Sequence, residues 1–85
     1  MLFHVTVDHS PELCPIVTNS PEERITPEGA VKAGVKLLLA LGARSQHHTM
    51  YIVETDDINK LNDFLEPALS WAKCDIIPVR DMSLD

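Results

Sequence analysis

A chain of 85 residues, 45% hydrophobic and 24% charged, has the composition of one ordinary folded domain spanning residues 1–85, outside the disordered and low-complexity regimes. Thirteen acidic residues against seven basic ones give a formal charge of -6, and the basic residues are scattered, which excludes a nucleic-acid backbone as partner. No apolar run approaches the roughly 18 residues of a membrane span and the first residues form no basic leader, so a cytoplasmic protein without a membrane partner is expected.

Residues 2–9 alternate, with Phe3, Val5 and Val7 on one face and His4, Thr6 and Asp8 on the other, which is the period-2 pattern of a half-buried strand. Residues 10–20 carry two prolines and several turn formers without a sustained period and read as a loop leaving the sheet. Two helix starts follow. Ser20-Pro21-Glu22-Glu23 has the form of a capping box, and Thr26-Pro27-Glu28 repeats the signal; with Ser20 as cap the helix must kink at Pro27, whereas with Thr26 it is short and Gly34 can end it.

Residues 35–41 are ambiguous, because leucine-rich sequence favours helix while a short apolar run between Gly34 and Gly42-Ala43-Arg44-Ser45 also suits a buried strand. Residues 48–54 read clearly as a strand from their β-branched and aromatic content. Asp56 or Asp57 then caps a helix with apolar residues at Ile58, Leu61, Leu65, Ala68, Leu69 and Ala72, bent at Pro67. The last strand covers residues 75–80, and Pro78 inside it argues for an edge position. The order is βαββαβ, an α+β ferredoxin-like pattern with a four-stranded antiparallel sheet.

The opening Leu-Phe-His-Val-Thr-Val-Asp-His-Ser-Pro-Glu-Leu-Cys-Pro, the Gly34-Val35-Lys36 junction, the His48-Thr49-Met50-Tyr51 strand with Glu54 after it, and the closing Asp75-Ile76-Ile77-Pro78-Val79 resemble small bacterial and archaeal proteins of the dimeric α/β-barrel superfamily. The resemblance implies that residues 35–41 form a strand and that two ferredoxin-like sheets pack face to face as a homodimer. In that superfamily, members include cofactor-free monooxygenases, haem-degrading enzymes and metal binders. The compressed first helix region with Pro27 departs from the pattern.

In a sheet ordered 4-1-3-2 the C-terminal end of strand one lies beside the N-terminal ends of strands three and four. His9 then approaches His47, His48 and Cys74, and the loop bearing Cys14 leaves from the same edge. Imidazole and thiolate are ligands for Zn, Cu, Ni or Fe, and Asp8 or Glu12 can add an oxygen or orient a histidine. In a reducing cytoplasm the two cysteines are expected as free thiols or ligands instead of a disulfide. The expected metal ligands are His9, Cys14 and His48; adjacent strand residues point to opposite faces, so only one of His47 and His48 readily joins a given site.

A wider pocket can include His4, Asp8, His47, Tyr51, Trp71 and Cys74, with His4, Thr6 and Asp8 alternatively serving as dimer-interface residues, and Tyr51 and Trp71 as core packing. The leading expectation is a homodimer binding a transition metal or a small molecule at this His/Cys end. A cofactor-free monooxygenase or isomerase-type enzyme with His9 or His48 as general base is the first alternative, and a non-catalytic dimeric module is the second.

Overall fold

The computed structural model describes residues 1–14 and 24–82. The chain has a ferredoxin-like βαββαβ fold: β1 (Leu2–Asp8), α1 (Pro27–Ala33), β2 (Lys36–Ala43), β3 (His48–Glu54), α2 (Ile58–Leu65) and β4 (Lys73–Val79), in one antiparallel sheet ordered β2-β3-β1-β4. Short 3-10 turns occupy Pro11–Leu13, Arg44–Gln46 and Glu66–Ala68. Among the described residues no helix is long and apolar enough to cross a membrane.

Thr26 starts α1, its Oγ1 accepting the Gly29 amide at 3.0 Å, with Pro27 at the first helical position. Gly34 ends the helix in the left-handed region at φ 81°, and its N–H donates to the Ala30 and Val31 carbonyls. The alternative start at Ser20 lies outside the described residues.

After that break the leucine-rich segment is a strand, and β2 pairs with β3 from Lys36↔Glu54 to Ala43↔His48. One bulge interrupts this ladder between Leu37 and Leu39. Leu37 and Ala40 therefore lie on the same face as their partners Val53 and Tyr51, while Leu39 and Leu41 lie on the other face with Ile52 and Met50. The strand is two residues longer at its C-terminal end than the apolar run alone indicates.

Asp57, not Asp56, caps α2 by accepting the Asn59 amide at 2.9 Å; Asp56 instead pairs with the terminal ammonium of Met1 at 3.0 Å. The helix is shorter than the apolar stripe suggested. It stops at Leu65 and tightens into a 3-10 turn at Pro67, because proline cannot continue the α-helical ladder. Ile58, at its first position, and Leu69, beyond its end, are about half exposed, and Phe64, outside the anticipated stripe, is fully buried. Strand β4 begins two residues earlier than expected and pairs only with β1, which places Pro78 on a sheet edge.

Both helices cover one face of the sheet. Phe3, Val5 and Val7 of β1 and Val53 of β3 meet Ala30, Leu61, Phe64, Leu65 and Ala68 in a single core. The opposite face carries His4, Thr6 and Asp8, and by the strand pairing also Leu39, Leu41, Met50, Ile52, Ile77 and Val79.

Candidate metal centre

Three segments converge where β1 runs past the cover of the helices. The β1–β3 ladder continues one step beyond its regular pairs, as the His9 amide donates to the His47 carbonyl at 3.2 Å. Side-chain alternation puts His9 on the helix side of the sheet with Val7, not on the Asp8 side. His47 closes the β2–β3 connection in the left-handed region at φ 50°, a conformation that costs a non-glycine residue about 1–2 kcal/mol. That turn directs its imidazole to His9. The 3-10 turn Pro11–Leu13 then folds the chain back, the Cys14 amide donating to the Pro11 carbonyl at 3.2 Å, and buries the Cys14 thiol.

One potential ligand atom from each of His9, Cys14 and His47 lies within 4.8 Å of the others, so this group can hold a metal ion. His47 Nδ1 and His9 Nε2 are 3.2 Å apart and share a hydrogen bond whose direction depends on the tautomers. Two nitrogens bound to one tetrahedral ion at about 2.0–2.1 Å are separated by roughly 3.3–3.4 Å, and a nitrogen and a thiolate by roughly 3.6 Å. The imidazole pair already has close to the required spacing. With all three atoms within 4.8 Å of one another, the thiolate reaches its place by an adjustment of at most about 1.2 Å, which side-chain rotation can supply.

The site also favours uncharged imidazole. Burial lowers the pKa of His9, the neighbouring His47 lowers it further, and Asp8 opposes the shift. A neutral ring is the form that binds metal. Trp71, in the connection between α2 and β4, packs edge-on against His9 with ring centroids 4.9 Å apart, and its indole N–H donates to the Pro67 carbonyl at 2.8 Å. The bend at Pro67 thus helps set the wall of the site.

The remaining expected residues are distributed by strand geometry. His48 is the direct partner of Asp8 across β1 and β3, and its Nδ1 pairs with the Asp8 carboxylate on the uncovered face. His47 therefore stands in the triad where His48 was expected. Which histidine would join could not be read from two adjacent rings, because the deciding feature is the left-handed turn at His47.

Cys74 is opposite Val7, packs against the core, and has its pKa raised by burial and by Asp75; it is outside the triad. Cys14 and Cys74 are free thiols. His4 lies on the uncovered face, and Glu12 is exposed. Tyr51 serves two roles, packing edge-on against Phe64 at 5.7 Å and lining the cleft beside the triad.

That cleft has a volume of about 1160 Å³ and is open to solvent. Val7, Ile25, Tyr51 and Trp71 supply apolar wall, and Arg24 and Arg44 reach it from opposite sides of α1 in the sequence. A metal held by two imidazoles and one thiolate would keep a coordination position for an exogenous ligand in this space. No protein-family model matches the chain, and no curated protein sequence matches it.

Proposed function

We propose that the protein binds a transition-metal ion through His9 Nε2, His47 Nδ1 and the Cys14 thiolate, leaving one position open to the cleft. The convergence of these three side chains from separate segments carries the reading. A soft thiolate with two imidazoles suits Zn, Cu, Ni or Fe and does not suit Mg or Ca, which require oxygen ligands.

Titration of tag-free, chelator-treated protein with Co²⁺ tests the assignment. The expected result is one ion per chain with a thiolate-to-cobalt charge-transfer band that Cys14→Ser removes. Absence of stoichiometric binding at micromolar protein would refute it.

A second reading has its own support in the neutral His9 imidazole beside Trp71 at the cleft: a general base acting on a small substrate without metal, as in a cofactor-free monooxygenase or isomerase. Activity that survives exhaustive chelation and is lost in His9→Ala would select that reading.

The working unit is a homodimer of the dimeric α/β-barrel type. Its support is the uncovered sheet face, where Leu39, Leu41, Ile77 and Val79 are 45%, 53%, 52% and 37% exposed. A second copy of that face is a self-complementary cover, and a stable interface of this kind buries about 1,200 Å² or more in total.

A further inference from the structure

The chain as a whole is acidic, with thirteen Asp and Glu against seven Lys and Arg. Its cleft has the opposite character. Arg24 and Arg44 line it as its two permanent charges, and none of the described lining residues is acidic. Asp8, next to His9 in sequence, is turned to the uncovered face and paired with His48. Two guanidinium groups in the cleft of a negatively charged protein concentrate small anions there.

Beside the hydroxyls of Ser45 and Thr49, Ile25, Tyr51 and Trp71 supply an apolar and aromatic wall. Such a wall favours a ligand body that leaves water, and Trp71, edge-on to His9, lines the cleft beside the triad. Guanidinium groups present forked donors that match a carboxylate, and recognition of an anion by two of them adds directional hydrogen bonds to the charge attraction.

We infer that the cleft binds a small organic carboxylate with an aromatic or apolar body, its carboxylate held by Arg24 and Arg44 and its body against Trp71 and Tyr51. The inference rests on the cleft described for the proposed function but not on an ion within it. A metal at the triad would offer its open position to the same ligand, whereas without metal the arginines and the aromatic wall suffice.

Ligand-observed proton NMR with benzoate as probe tests this, using chelator-treated and zinc-loaded protein whose zinc content is measured separately. Benzoate is expected to bind the chelator-treated protein roughly ten-fold or more tightly than benzyl alcohol, and Arg24→Gln/Arg44→Gln is expected to remove that margin while the fold is retained. Inorganic phosphate is expected to displace it only weakly, since it lacks the apolar body.

Equal binding of benzyl alcohol, unchanged affinity in the double variant, displacement by phosphate as effective as by benzoate itself, or no binding to the chelator-treated form would each overturn the inference. Zinc stoichiometry reports on the metal reading independently, so a chain that takes zinc but no benzoate fails only the carboxylate proposal.

Discussion

Exchanging His9, His47 and His48 one at a time for alanine separates a coordinated triad from a histidine-rich surface. At a free zinc concentration 100 times the dissociation constant, binding to the folded state alone adds about 2.7 kcal/mol of stability. A domain of this size gains roughly 4–8 °C in Tm per kcal/mol, so zinc should raise the Tm of the native chain by roughly 10–20 °C. His9→Ala and His47→Ala should each abolish most of that rise, whereas His48→Ala should retain it, because the His48 ring faces the other side of the sheet.

In the metal-free protein His9→Ala removes one imidazole hydrogen bond, about 1 kcal/mol, and one edge contact with Trp71, about 0.5–1.5 kcal/mol. Those losses lie below the about 4–13 kcal/mol expected for 85 residues, so the variant should fold. Scanning calorimetry of all four proteins with and without zinc is the assay. Equal loss of the zinc shift in His48→Ala and His47→Ala, or a full shift in His9→Ala, would show that the triad is not the site.

Three further outcomes are expected. Gly34→Ala should lower stability by about 1 kcal/mol through its φ of 81°, since the nearest atoms to an added Cβ are side-chain atoms of Lys60 no closer than 3.7 Å; urea titration should show a smaller loss for Gly34→Asn, which tolerates the left-handed region, and equal losses would point to steric conflict instead. Because His9 titrates below its ordinary value of 6.5, the unfolded chain binds the extra proton first, and metal-free stability should fall as pH drops from 6.5 to the lowered value, then level off; urea midpoints of native protein and His9→Gln that change in parallel over this window would refute the assignment. Leu41→Glu on the uncovered face should yield monomers in light scattering at concentrations where the native chain is dimeric, and a native chain already monomeric at micromolar concentration would remove the basis for the dimer.

The fold was largely legible because its signals are local. Alternation in β1, the Thr26-Pro27 start, the Gly34 stop and the edge proline Pro78 each act within a few residues. The convergence of His9 with Cys14 also followed from the antiparallel sheet order. What was not legible depends on backbone geometry of one or two residues: the left-handed turn that selects His47 over His48, and the tightening after Leu65 that removes Trp71 from the helix. The strand at residues 36–43 showed no alternation to read, because its bulge interrupts the period between Leu37 and Leu39.

The same bulge makes the length of β2 adjustable. Leu37 is opposite Val53 and Leu39 opposite Ile52, so Leu38 is the surplus residue in the ladder, and it is 45% exposed. Deleting it would leave a regular strand in which Leu37 and Ala40 still face the helices and Leu39 and Leu41 still face away. The turn carrying Arg44 and His47 would keep its register as well. Since Leu37, Leu38 and Leu39 are identical neighbours, loss of any one codon produces the same polypeptide, and a single-codon deletion here can pass through the gene without exchanging the two faces of the sheet.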